Sequence, residues 1–224
     1  MRANNLKKRI TIILLAVFFI SFYGYGDQTI PVTGSISAGF PINNDSFSGY
    51  GTRDAEKSLE LSISQFVDSV SDGQSSAVRG IYATDIFALK VVQQPSSNAG
   101  FVSSTSETAT QFSLAKNYNT IGMLAHNYLA GQYFFDLTMG NIIQVVYGDG
   151  HIELYKVAEI YRYQALSPNS ASSQFVDLES DAKYSASEVF YQMYSGPEHL
   201  TLQTCIQNGD EDSWGRLFIL AYPL

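Results

Sequence analysis

Apolar residues recur at helical spacing in one short segment, before the chain changes to a different pattern. From Leu59 to Val70 they repeat every three or four residues, and Asp72-Gly73 follows as a stop signal. From about Ala77 onward, short runs of β-branched and aromatic residues alternate with turn residues. These patterns predict a short amphipathic helix packed on a domain that is mainly β.

The strands predicted in this domain are apolar runs bounded by turn residues. They cover Ile86 to Val92, Ile121 to Ala125, Ile142 to Tyr147, His151 to Tyr163, Leu200 to Ile206 and Trp214 to Tyr222. One helix is predicted after Ser185, because Glu188 three residues later completes a capping box. Many strands, few helices and no βαβ alternation predict a closed or partly closed β-barrel.

The residues before the domain carry an export pattern. Four basic residues lie within the first nine positions, and the uncharged run 10–25 follows. Its strongly apolar part is shorter than the ~20 residues of a spanning helix, which favours a cleaved signal. Aromatic residues at its end favour a signal anchor instead, and both alternatives stay open. Either one places the domain outside the cytoplasm.

Three units are therefore predicted. Residues 1–26 form the export signal or anchor, residues 27–76 a polar linker that includes the short helix, and residues 77–224 the single β-rich domain. A total of 224 residues leaves no room for a second full domain. The net charge of -8 and the pI near 4.7 argue against nucleic acid as a partner.

Cys205 is the one cysteine of the chain, so no disulfide can form within it. The presence of a single cysteine leaves two interpretations of Cys205: it is a small buried core residue or a reactive thiol. The hairpin around it bears on this choice. If the loop Gln207 to Ser213 is centred between Asp210 and Glu211, then Arg216 faces Cys205 across the two strands. A guanidinium there favours the thiolate and offers donors to an oxyanion; alternatively, Arg216 pairs with a loop carboxylate in solvent.

A cysteine nucleophile also needs a proton acceptor, usually histidine. His199 lies on the strand of Cys205 but six residues away, or about 20 Å. His151 follows the Asp149-Gly150 turn and is expected in solvent. His126 ends a predicted strand and begins a polar loop, a position where catalytic side chains often lie, which makes it the best candidate of the three.

Two short motifs resemble those of the sortase family. Thr201-Leu202-Gln203-Thr204-Cys205 followed by Arg216 is similar to the signature Thr-Leu-x-Thr-Cys with an arginine on the next strand. The segment Gly122 to Asn127 resembles the one that bears the sortase histidine, and the order His, Cys, Arg also agrees. The resemblance covers about Ala77 to Leu224 and implies an eight-stranded β-barrel with a few short helices.

The same resemblance implies an exported cysteine transpeptidase that acts on surface proteins. Cys205 would attack the threonine carbonyl of a Leu-Pro-x-Thr-Gly-like sorting motif and form a thioester, Arg216 would stabilise the oxyanion, and His126 would transfer protons. Thr204 would contribute to the oxyanion site. The acceptor would be an amine, from a cell-wall precursor or a pilin lysine, and no metal or organic cofactor is required. A pilin-polymerising or hydrolytic enzyme and a non-enzymatic binding barrel are the alternatives.

Overall fold

The computed structural model describes residues 63–224. It contains two α-helices, two 3-10 helices and ten strands within that range. They are α1 (63–70), β1 (Val78–Ala83), β2 (Phe87–Gln93), β3 (Thr108–Phe112), η1 (Ala115–Tyr118), β4 (Thr120–Leu124), η2 (Ala130–Asp136), β5 (Ile142–Tyr147), β6 (Ile152–Ala165), β7 (Gln174–Asp177), β8 (Lys183–Ser185), α2 (Ala186–Tyr194), β9 (His199–Asn208) and β10 (Glu211–Pro223).

Eight of the described strands close into a barrel. Their order is β10, β9, β4, β3, β2, β1, β5, β6, and β6 pairs with β10 to complete the circle. Pairing is antiparallel except between β2 and β3 and between β4 and β9, which are parallel. β7 and β8 extend the sheet beyond β6. The prediction of a mainly β, eight-stranded barrel with a few short helices is confirmed.

Alternation along each strand divides the apolar residues between two clusters. The first cluster fills the interior of the barrel. It consists of residues on one side of all eight barrel strands and of Ala130 and Phe134 from η2. Phe134 packs edge-on against Phe87, with 6.0 Å between ring centroids. This interior cluster includes Leu200 and Leu202 of β9 and Leu217 of β10. Because side chains alternate along a strand, the residues next to each of these leucines point outward.

The second cluster lies on the outside of the barrel, beneath α2. Phe218 of β10 and Tyr163 of β6 belong to it, as do Phe190 and Tyr194 of the helix. α2 begins with the predicted capping box, in which Ser185 Oγ accepts from the Glu188 backbone N–H. One outer face of β9 and β10 is thereby covered by a helix, and this is the face that carries Cys205.

α1 packs on the barrel at β1. The Phe66 ring lies 5.9 Å from the Tyr82 ring, and a Cβ at Gly80 would approach Phe66 to 2.7 Å. Asp72, just after the helix, accepts a hydrogen bond from Arg79 Nε at 2.7 Å. The predicted export segment 1–26 and most of the predicted linker lie outside the described residues. Within residues 63–224, no helix has the length and apolar character to cross a membrane.

The strands predicted from apolar runs are all present, with ends that differ by up to three residues. β1, β3, β7 and β8 had no specific prediction. β3 shows why: its sequence, Thr-Ala-Thr-Gln-Phe, alternates weakly, yet Thr108, Ala109 and Thr110 are all buried between neighbouring strands.

Candidate functional site

The three predicted site residues lie on three adjacent strands or strand ends. β9 carries Cys205 and lies between β4, which leads into His126, and β10, which carries Arg216. Arg216 is the register partner of Cys205, as predicted. Facing residues of an antiparallel pair project to the same side, about 5 Å apart. Both side chains therefore belong to the outer face of the barrel, and each is 1% exposed.

The predicted turn between these strands is wrong, although the register is right. β9 continues to Asn208 and pairs with Glu211, so that Gly209 and Asp210 alone form the turn. Gly209 has a φ of +59°, which suits a tight turn. A register shift between Glu211 and Gly215 then restores the predicted alignment further along the strands. A tight turn plus a bulge thus gives the register that the longer loop would have given.

The bulge also holds the guanidinium. Arg216 Nη1 donates to the backbone carbonyls of Ser213 and Gly215, both at 2.8 Å. Ser213 is itself fixed by Glu211, whose Oε1 accepts from the Ser213 hydroxyl at 2.7 Å. The side chain of Arg216 is therefore oriented by backbone atoms of its own strand and does not extend into solvent to meet a loop carboxylate.

His126 follows the end of β4, a strand that pairs in parallel with β9, the strand of Cys205. Leu124 is the register partner of Gln203, and the Ala125 N–H donates to the Gln203 carbonyl at 3.2 Å. The paired part of β4 ends at Leu124, two residues before His126. Cys205 therefore has Arg216 as its register partner on one side of β9, and on the other side the strand that leads into His126 pairs with β9.

The backbone after His126 turns sharply. The His126 carbonyl accepts hydrogen bonds from the N–H groups of Leu129, at 3.0 Å, and Gly131, at 2.9 Å. A Cβ at Gly131 would lie 2.8 Å from that carbonyl oxygen and closer still to Thr204 Oγ1. Glycine is therefore required for this close approach of η2 to β9.

Thr204 lies beneath the site. Its side chain is fully buried, and its hydroxyl donates to the Ala125 carbonyl at 2.9 Å. In this arrangement Thr204 connects β9 to the strand end that positions His126. The oxyanion role implied by the family resemblance stays a prediction.

Two neighbours of His126 belong to the site and were missed by sequence reasoning. The Tyr128 ring stacks on the imidazole, with 5.2 Å between centroids and 30° between planes, and its side chain is 52% exposed. Asn127 Nδ2 donates to the Asp212 carbonyl at 3.1 Å, which ties this loop to the hairpin of Cys205. Their position directly after His126 was the available signal.

Burial has the largest effect on the pKa values of Cys205 and His126. It raises the pKa of the Cys205 thiol, opposed by the nearby Arg216 guanidinium and reinforced by the charges of Asp212 and Glu211. Burial likewise lowers the pKa of His126, opposed by a hydrogen bond with the Val102 backbone. Both shifts favour the uncharged forms of the two side chains.

The other two histidines lie elsewhere, as predicted. His199 is buried at the far end of β9, where its ring contacts the carbonyls of Pro197 at 2.7 Å and Met193 at 3.0 Å. The His151 side chain is 46% exposed at the hairpin tip and pairs with Asp149 at 2.6 Å. Within the described range, no group of three or more His, Cys, Asp or Glu side chains is arranged to hold a metal ion.

No protein-family model matches the chain, and no curated protein matches it. Comparison with solved structures finds sortases of classes A, C, D and E. Sortase C1 from Streptococcus suis is 11% identical over 81% of this chain and 89% of its own, with a TM-score of 0.45. Sortase A from Corynebacterium diphtheriae is 14% identical over 77% and 86%, with a TM-score of 0.44. Sortase E1 from Streptomyces coelicolor, with a tripeptide in its active site, is 16% identical over 69% and 90%, with a TM-score of 0.40.

Proposed function

We propose that this protein is an exported cysteine transpeptidase of the sortase type. The observation that supports the proposal is the position of Cys205 on β9: Arg216 is its register partner on β10, and β4, which leads into His126, pairs with β9 on the other side. Nucleophile, oxyanion donor and proton carrier are the three parts that acyl transfer through a thioester requires. A binding barrel has no need of this combination.

Acylation begins with proton transfer inside the site. Because burial favours the uncharged thiol and imidazole, His126 first accepts the Cys205 proton, and the thiolate then attacks the threonine carbonyl of the sorting motif. The guanidinium of Arg216 stabilises the negative charge that develops on the carbonyl oxygen. The C–N bond breaks, and the imidazolium of His126 gives its proton to the leaving amine.

Deacylation runs the same proton path in reverse. The incoming amine loses a proton to His126 as its nitrogen attacks the thioester carbonyl, and the sulfur leaves as the thiolate stabilised by Arg216. Transfer to an amine rather than to water gives a new amide bond. We infer that the acceptor is the amine of a cell-wall precursor or a pilin lysine.

The remaining parts of the proposal concern location and substrate. An export signal or anchor in residues 1–26 would place the domain outside the cytoplasm, near the surface proteins on which it acts. The substrate would be a Leu-Pro-x-Thr-Gly-like peptide whose threonine carbonyl reaches Cys205. Catalysis by the three named side chains requires no metal or organic cofactor.

A transfer assay tests the proposal. The purified chain is incubated with a library of Leu-Pro-x-Thr-Gly-like peptides and an amine acceptor such as triglycine, and the products are identified by mass spectrometry. We expect acyl transfer that is abolished in Cys205→Ala. Transfer products that persist in Cys205→Ala would contradict the assignment, and cleavage without transfer would identify a hydrolase with the same nucleophile.

A further inference from the structure

A pentapeptide in the predicted linker matches the proposed substrate pattern. Residues 30–34, here called the linker pentapeptide, have the sequence Ile-Pro-Val-Thr-Gly and lie just after the predicted export segment 1–26. The pattern Leu-Pro-x-Thr-Gly differs from it only at the first position, where isoleucine is an isomer of leucine. The chain contains 6 prolines and 17 glycines among 224 residues, so a chance match at this spacing is rare.

The linker pentapeptide supplies what the proposed chemistry needs in a substrate. Proline restricts its own backbone and that of the residue before it, which lowers the entropy lost when such a peptide binds. Thr33 provides the carbonyl, and Gly34, which has no Cβ, provides the amine that leaves. The linker contains a second proline, Pro41, but Ile42-Asn43-Asn44 follows it, without the threonine and glycine.

The candidate site lies where the covered part of β9 ends. Cys205 is the last buried residue of that strand, because Ile206 is partly exposed and the residues after it are exposed. His126 is partly exposed as well. Burial, and after it the charges of Asp212 and Cys205, raise the pKa of the half-exposed Tyr128, so this ring lies near the thiol at the protein surface. The thiol thus borders solvent.

The length of the chain allows the linker pentapeptide to reach this site. Residues 35–62 separate it from α1, and at about 3.4 Å per residue a segment of this length spans up to about 95 Å. A domain of the size of residues 63–224 has a radius of gyration of about 15 Å. Attachment to the same chain also raises the local concentration of the pentapeptide without any added contact.

We propose that the protein cleaves its own linker between Thr33 and Gly34. This inference rests on the proposed function and names a substrate for it. The Cys205 sulfur bonds to the Thr33 carbonyl carbon, the bond from that carbon to the Gly34 nitrogen breaks, and His126 passes the thiol proton to the released amine.

The reaction has two products. The segment that ends at Thr33 is held on Cys205 as a thioester until the nitrogen of an acceptor amine bonds to the carbonyl carbon, and the proton of that amine returns to the sulfur. The β-rich domain 77–224 is separated from the export segment 1–26 and begins at Gly34. Cleavage therefore frees the domain from whatever holds the export segment.

The test follows the full chain by intact-protein mass spectrometry and N-terminal sequencing, after expression and after incubation with triglycine. We expect a product that begins at Gly34 and a second product in which triglycine is joined to Thr33. Pro31→Ala should slow cleavage about tenfold or more, because the substrate loses its ring. Pro41→Ala is the same substitution in the same linker and should leave the rate unchanged. Both substitutions lie outside the β-rich domain.

Three results would overturn the inference. They are a wild-type chain that stays intact, a product beginning at Gly34 in Cys205→Ala, and equal rates for Pro31→Ala and Pro41→Ala. A mixture tests whether each chain cleaves itself: Cys205→Ala offers an intact pentapeptide, and Pro31→Ala offers an intact site. Cleavage in this mixture should be about tenfold or more slower than in the wild type at micromolar concentration, and cleavage at the wild-type rate would contradict self-cleavage.

Added Leu-Pro-Ala-Thr-Gly separates this inference from the proposed function. A wild-type chain that transfers the added peptide to triglycine but keeps its own linker intact would overturn the inference and leave the proposed function standing. Absence of both reactions would refute the proposed function and the inference together.

Discussion

Arg216 lies directly opposite Cys205 on the neighbouring strand, and both side chains are almost completely buried. The guanidinium is held by the carbonyls of Ser213 and Gly215, so its position is fixed before any substrate arrives. Burial raises the pKa of the thiol while the positive charge lowers it. The thiol is thus kept protonated at rest but next to a group that stabilises the thiolate once it forms.

Removal of this charge should make the thiol harder to ionise. Arg216→Met removes the positive charge that lowers the pKa of Cys205. We therefore expect the midpoint of iodoacetamide alkylation to move to higher pH. The variant should also unfold more easily, by about 1 to 3 kcal/mol, because two buried carbonyls lose their donor. Alkylation is followed by intact-protein mass spectrometry between pH 6 and about pH 10.

Arg162→Met is the matched control, since Arg162 is exposed on the adjacent strand β6. Its alkylation profile should coincide with that of the wild type. A profile for Arg216→Met that coincides as well would show that the guanidinium exerts no influence on the thiol.

The buried imidazole should titrate below the usual value for histidine. Because burial lowers the pKa of His126, the folded state releases this proton more readily than the unfolded chain does. Its contribution to stability is therefore present above pH about 6.5 and is lost as the pH falls through the folded-state value. The measurement is an NMR titration of the imidazole protons.

The reference for that titration is the ordinary pKa of histidine in an unstructured peptide. The His126 resonances should shift at lower pH than the reference value of about 6.5. A His126 midpoint above that value would contradict the account, since it would mean that charge stabilisation outweighs burial at this position.

Gly131 should tolerate no side chain. In Gly131→Ala the added Cβ meets the His126 carbonyl oxygen and the Thr204 hydroxyl, so we expect a loss of stability of roughly 1 to 3 kcal/mol together with slower thiol chemistry. Gln132→Ala, at an exposed position of the same 3-10 helix, is the control and should unfold like the wild type. Urea unfolding of both variants provides the comparison, and equal stability would mean that η2 can move away from β9 at little cost.

The sequence predicted the partner of Cys205 for a reason that is only half correct. Equidistance from a loop centred between Asp210 and Glu211 gave the observed register. The chain reaches that register with a two-residue turn at Gly209 and a bulge before Gly215, since a tight turn alone would have shifted the alignment by two residues. Turn position and bulge depend on local backbone energetics that strand patterns do not report.

Other parts of the site depend on contacts between residues distant in the chain. The resemblance of short motifs pointed to Cys205, His126 and Arg216. The sequence could not predict that the Tyr194 hydroxyl of α2 donates to the Gln203 amide oxygen, because that contact requires the helix to be packed on the barrel. Stacking of Tyr128 on His126 likewise results from the turn after β4.

Tyr128 should limit access to the site. Its ring stacks on His126, and its phenol is close enough to Cys205 and Asp212 for their charges to raise its pKa, after the larger effect of burial. In Tyr128→Ala we expect faster alkylation of Cys205 by iodoacetamide and a His126 pKa closer to 6.5, because both groups gain access to water. Tyr128→Phe keeps the ring and should leave both quantities near the wild-type values.

The two substitutions of Tyr128 separate the ring from the hydroxyl. If Tyr128→Phe changes the alkylation rate as much as Tyr128→Ala does, the hydroxyl rather than the stacked ring governs access. If neither variant differs from the wild type, Tyr128 does not cover the thiol.

The central claim is that Cys205 becomes acylated by the threonine carbonyl of a sorting-motif peptide. The direct measurement is acid quenching of the full chain during turnover of Leu-Pro-Ala-Thr-Gly, followed by intact-protein and peptide mass spectrometry. We predict a mass increase equal to the Leu-Pro-Ala-Thr acyl group on the peptide containing Cys205, removed by hydroxylamine and absent in Cys205→Ala. An unmodified Cys205 in a chain that nevertheless cleaves the peptide would contradict the account.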